Sequence, residues 1–209
     1  PEWFEDQLRW LADNGFHSVT GPELNGYLTD SIRLPAKSVI LTFDLGAPSA
    51  KEFDEAIAPM LRNYGQHGLV YLVTCEFVKA QDPEWAADCW KKYARWAERG
   101  TATYGSHSVS HPFMDEIPYE KSILELSESK STLEENLGVE VDSMAWPYEA
   151  CPAKGALLLS ETGYTSGFGG WSRSITECQV RPNDNLWWNL PRLLPYSRPG
   201  SYPFLTART

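Results

Sequence analysis

Ser38-Val39-Ile40-Leu41-Thr42-Phe43-Asp44-Leu45-Gly46 is the stretch from which the rest of the chain is read. Its aliphatic and β-branched run has the length of a buried strand and is too short for a helix. It ends on a carboxylate. In alternating β/α proteins the loops at the C-terminal ends of strands carry the chemistry, which makes Asp44 a candidate site residue. The competing reading is that Asp44 caps the helix that follows.

Downstream of Gly46, Phe53, Ile57, Met60, Leu61 and Tyr64 recur at helical spacing and Gly65 stops them. A strand is predicted over 69–73, a helix over 83–99 stopped by Gly100, and a strand over 101–104. Ile123, Leu126, Leu133 and Leu137 mark a long helix ending at Gly138. A strand over 143–146, a helix over 156–161, a strand over 164–168 and a last strand over 190–194 complete the series, with 167–173 and 181–189 the loop-rich parts. Upstream, an amphipathic helix through Trp3, Phe4, Leu8 and Leu11 stops at Asn14-Gly15. A short strand over 17–20 follows, then a second helix opened by the capping-box pair Thr20 and Glu23. This alternation predicts a parallel α/β protein. About seven strand candidates favour a closed or nearly closed barrel over an open sheet.

A chain of 209 residues, 42% hydrophobic and 22% charged, accommodates one ordinary core. Its net charge of -10 repels phosphate backbones and anionic membrane surfaces, which argues against a nucleic-acid partner. No apolar run has the length of a transmembrane segment. The chain opens on Pro1-Glu2-Trp3 without a signal peptide, and this start reads as processed or trimmed. Cys75, Cys89, Cys151 and Cys178 lack the spacing of a zinc ribbon, so no structural zinc site is indicated, and disulfides stay open. Nine Trp and ten Tyr are many for this length; they serve the core or line a groove against the apolar faces of sugar rings.

Ser106-His107-Ser108-Val109-Ser110-His111-Pro112 puts two imidazoles four residues apart directly after a strand. On one helical turn that spacing would aim both rings at one divalent ion; the alternative is two ordinary hydrogen-bonding histidines.

Taken together, Thr42-Phe43-Asp44-Leu45-Gly46, His107-Ser108-Val109-Ser110-His111-Pro112 and Trp146-Pro147-Tyr148 resemble the polysaccharide deacetylase family, carbohydrate esterase family 4. The similarity takes in nearly the whole chain, including the segment 11–20 and the late Leu190-Pro191-Arg192, and is nearest to the branch of biofilm poly-N-acetylglucosamine deacetylases. It implies a distorted (β/α) barrel of about seven parallel strands and a single domain over 1–209, lacking a short upstream segment or belonging to a longer protein. It also implies metal-assisted removal of acetyl groups from an N-acetylhexosamine polymer, outside the cytoplasm or at the cell envelope. The resemblance assigns Asp44 as general base, His107 and His111 as ligands of zinc or another divalent metal, and the Tyr148 backbone N–H as oxyanion donor. Arg192 would orient Asp44, and Trp146, Pro147 and Tyr148 would contact the sugar.

Leu45 stands where the family has its metal-binding Asp and offers no lone pair, so metal affinity is expected to fall. Glu149, where this branch has Gly, and Asp115 are candidate replacements as ligand or base. The histidine that protonates the leaving amine in this branch lies upstream of the first helix, and neither His17 nor His67 matches it. A non-catalytic glycan-binding or accessory domain and a metal-independent amide hydrolase are the alternatives.

Overall fold

The computed structural model describes residues 2–169, 187–190 and 192. In chain order they form α1 (Glu2–Asp13), β1 (His17–Ser18), α2 (Gly21–Leu28), β2 (Ser38–Val39), β3 (Thr42–Leu45), α3 (Ala47–Glu52), α4 (Ala58–Asn63), β4 (Gly68–Leu72), α5 (Cys75–Gln81), α6 (Cys89–Glu98), β5 (Ala102–Ser106), α7 (Tyr119–Leu137), β6 (Ser143–Ala145), α8 (Gly155–Thr162), β7 (Ser166–Phe168) and β8 (Trp187–Leu190). Six strands, β3 to β8, pair in sequential order and all in parallel. Among the described residues this parallel sheet curls as a half-barrel, matching the distorted (β/α) barrel that the resemblance implies.

Strand parity sorts the core into two layers. On β4, Val70 and Leu72 join the large cluster under the helices, whereas Leu69 and Tyr71 join the small cluster inside the curl with Val19, Leu24, Ala145 and Phe168. On β3 the same alternation sends Phe43 and Leu45 towards the helices. Thr42 and Asp44 line the cleft at the mouth of the curl.

Three expectations need correction. The stretch 38–45 is not one strand. Its first half, β2, pairs with β1 in a separate two-stranded parallel sheet, and only β3 joins the main sheet. The region 75–99 contains α5, which apolar periodicity did not reveal, and a 3-10 turn over Trp85–Asp88 interrupts the helix read from 83 onward. The last strand among the described residues is Trp187–Leu190, so 187–189 is strand rather than loop; positions 191, 193 and 194, and the loop calls over 170–173 and 181–186, fall outside the described residues.

Two local features follow from side-chain chemistry. The helix after Gly46 continues through a π turn, Phe53–Ile57, in which the Ala58 N–H reaches back to the Phe53 carbonyl. Pro59, two residues on, has no N–H for the normal ladder, a recurrent cause of such irregularity. Cys75 and Cys89 form a disulfide closing the excursion that carries α5. Cys75→Ser is expected to lower the unfolding free energy by about 2–4 kcal/mol, read from urea denaturation. An unchanged midpoint would mean that the bridge constrains nothing. Cys151 is also disulfide-bonded, and Cys178 lies outside the described residues.

Candidate active site

Parallel strands bring the expected residues to one end of the sheet. Asp44 sits near the end of β3, His107 directly after β5, Tyr148 three residues beyond β6 and Arg192 two beyond β8. They line a cleft of about 610 Å3 together with His111 and Glu149. Among the described residues the charged groups of that lining are Asp44, Glu149 and Arg192.

Arg192 grips Asp44 through both carboxylate oxygens, Nη1 to Oδ1 at 2.6 Å and Nη2 to Oδ2 at 2.7 Å, while its Nε donates to the Gly169 carbonyl. This fork joins the two edge strands of the curled sheet, β3 and β8. Burial alone would raise the Asp44 pKa, but the His107 ring and the Arg192 guanidinium outweigh it and hold the carboxyl below its usual range. Asp44 is therefore an oriented carboxylate at neutral pH.

His107 is almost fully buried, and its Nδ1–H donates to the Ala145 carbonyl at 2.9 Å. That bond leaves the Nε2 lone pair facing the cleft. Nε2 lies 3.1 Å from His111 Nε2 and 3.9 Å from Asp44 Oδ2. Burial pushes the His107 pKa down, and burial together with the neighbouring His107 ring pushes His111 down to about 4. Both rings are neutral at pH 7. The segment between them is not helical, contrary to the reading of their spacing; Ser108 and His111 adopt φ of 66° and 57°, and this left-handed kink turns the rings together.

The nitrogen pair fits one end of a divalent ion. Two imidazole ligands at about 2.05 Å on a tetrahedral ion stand roughly 3.3 Å apart, close to the 3.1 Å found. The third donor is another matter. Leu45 is 3% exposed, and its strand parity turns it into the outer core. Among the described residues no three His, Cys, Asp or Glu side chains stand close enough to form a complete metal set. His107 and His111 thus present two converging nitrogens without a third described donor, and Asp115 lies exposed outside the cleft lining.

Tyr148 and Glu149 both have positive φ, 54° and 59°, a strained conformation for side-chain-bearing residues. The Tyr148 ring is 49% exposed, stacks on Phe113 with centroids 3.8 Å apart and planes 11° apart, and meets the His111 ring edge-on at 4.4 Å. Trp146 does not face the cleft. It has no exposed surface and shares the outward parity of Met144, packed under α8 against Gly155. Pro147 is buried too and does not line the cleft, so of the three residues expected to touch sugar only Tyr148 is available. Phe113, two positions beyond His111, had no motif to announce it. His17 bonds Glu23, and His67 bonds the Gly100 carbonyl and the Thr103 hydroxyl, both away from the cleft.

A family profile described as polysaccharide deacetylase matches residues 31–167. YxkH of Bacillus subtilis (strain 168), a polysaccharide deacetylase by name, is 22% identical over 165 residues, covering 78% of this chain and 56% of that protein. The chain thus spans little more than half the length of this curated relative. Among solved structures, the Streptococcus pyogenes deacetylase PplD in complex with acetate superposes with a TM-score of 0.72 at 20% identity, over 81% of this chain and 72% of that one. The BpsB deacetylase domain from Bordetella bronchiseptica gives 0.68 at 18% identity, over 90% and 82%. IcaB from Ammonifex degensii gives 0.67 at 20% identity, over 93% and 84%. At such identities the superpositions speak for the fold, while the profile match extends over well more than half of the chain, and on that ground the chain belongs to the polysaccharide deacetylase family, carbohydrate esterase family 4.

Proposed function

We propose that this cleft hydrolyses acetamido groups of an N-acetylhexosamine-containing polymer, releasing acetate and leaving the amine on the sugar. The observation that carries the reading is the Asp44 carboxylate, fixed by the Arg192 fork and facing the converging Nε2 atoms of His107 and His111. A divalent ion such as zinc, held by the two imidazoles, would polarise the acetyl carbonyl and acidify water.

The chain's own groups do the rest. Asp44, ionised and unable to rotate out of the fork, accepts the proton of the attacking water on Oδ2, the oxygen nearer His107, and returns it to the amine nitrogen as the C–N bond of the tetrahedral adduct breaks. The Tyr148 backbone N–H, in its left-handed turn, serves as donor to the developing oxyanion. Glu149 supplies a second carboxylate among the described lining residues, a neighbour that suits a cation bound at the histidines. The half-exposed Tyr148 ring, held from behind by the Phe113 ring stacked on it, is the aromatic surface against which a pyranose ring would lie. The Cys75–Cys89 bridge supports work in an oxidising compartment, outside the cytoplasm or at the cell envelope.

Acetate release from oligomers of N-acetylglucosamine tests the reading, and none above the uncatalysed rate would contradict it. Phe113→Ala is expected to raise KM for such oligomers about 3- to 10-fold with little change in kcat. An unchanged KM would remove the aromatic pair from the substrate path. One observation, the leucine at position 45 turned into the core, favours a second reading, a glycan-binding domain without turnover. That reading expects oligomer affinity without acetate release.

A further inference from the structure

The loop between the two histidines is held from α7. Glu125 Oε2 accepts the backbone N–H groups of Val109 and Ser110 at 2.9 and 2.8 Å, and Oε1 accepts the Ser110 hydroxyl at 2.5 Å. One turn further along α7, the Ser129 and Ser106 hydroxyls lie 2.8 Å apart. Ser106 Oγ accepts the Ser108 N–H, and Ser108 Oγ accepts the His111 N–H at 3.0 Å. On the other side the Thr74 hydroxyl donates to the Val109 carbonyl at 3.3 Å.

These bonds matter because the loop is strained. Ser108 and His111 sit in the left-handed region without being glycine, and such residues persist only where their surroundings over-determine them. Remove the strongest restraint and the backbone can relax, carrying His111 away from His107. A carboxylate taking two amide N–H groups and a hydroxyl is that restraint, since charge-assisted hydrogen bonds are about twice as strong as neutral ones. Glu125 does not line the cleft, so it can act only through the loop.

We propose that Glu125 is a positioning residue that keeps His111 Nε2 beside His107 Nε2, and so sets the affinity of the pair for a divalent ion. This rests on the reading of the two histidines as a metal anchor. Glu125→Ala is expected to weaken zinc binding by about 10- to 100-fold in calorimetric titration, the range found when groups supporting a metal ligand are removed. Glu125→Gln keeps a carbonyl acceptor for the amides and should recover part of that loss. Glu128→Ala, one turn along the same helix and solvent-exposed, should bind like the wild type. Equal zinc affinity in Glu125→Ala and Glu128→Ala would overturn the proposal. Should the wild type itself take up no zinc, the metal reading fails on its own, and hydrogen exchange judges the clamp. The Val109 and Ser110 amides should then exchange at least about 10-fold faster in Glu125→Ala, and unchanged protection overturns it.

Discussion

Asp44→Asn is expected to lower kcat for acetate release by about 10³-fold or more, within the span associated with losing a positioned general base. The amide has nearly the same shape and keeps an oxygen for one arm of the Arg192 fork, but it cannot accept the proton of the attacking water. The substitution also leaves the Arg192 guanidinium, only 14% exposed, without its counter-charge. A stability loss of about 1–3 kcal/mol should therefore accompany the kinetic loss. The two effects separate by pH. Because the folded-state pKa of Asp44 is depressed, the pair's stabilisation is present above the unfolded carboxyl value near 3.8 and is lost as pH falls through the lower folded value. Asp44→Asn should lack that acid-side component. A mutant with wild-type kcat would remove Asp44 from the chemistry.

Gly105→Ala carries the largest expected effect on stability. A Cβ there would stand 2.2 and 2.4 Å from the Tyr71 ring and 2.8 Å from the Ser143 backbone carbonyl oxygen. Tyr71 is fully buried within the curl and lies against Phe168, so its ring has nowhere to retreat, and the strand on the other side is backbone. Relief requires β5 and β6 to part, two residues upstream of His107. A loss of about 3 kcal/mol or more is expected, read as a fall of roughly 6–12 °C in Tm for a domain of this size. A Tm within about 2 °C of wild type would mean that the curl accommodates the methyl group and that its packing is looser than described.

What the sequence disclosed, and what it hid, follows from range. Asp44 and His107 were legible because each ends an apolar strand run, and parallel strands must bring those ends together. The capping box at Thr20 and Glu23 was legible because its partners are three residues apart. The inward turn of Asp44 was available from parity, since it shares a face with Thr42. The same rule applied to Trp146 would have turned it outward with Met144, away from any sugar. The break between β2 and β3 was hidden because both halves are apolar; the change of partner strand leaves no mark in composition. Glu125 was hidden for another reason. Its three bonds reach residues 15 and 16 positions away, and on its own helix it reads as one more solvated acid.

Leu45, which the resemblance sets in place of a metal-binding Asp, frames the decisive measurement. Calorimetric zinc titration of protein purified without chelator, alongside His107→Ala, asks whether two imidazoles beside Asp44 and Glu149 suffice to hold the ion. The account predicts saturable uptake of about one ion per chain by the wild type and its loss in His107→Ala. No uptake by the wild type, or equal uptake by both proteins, would contradict it.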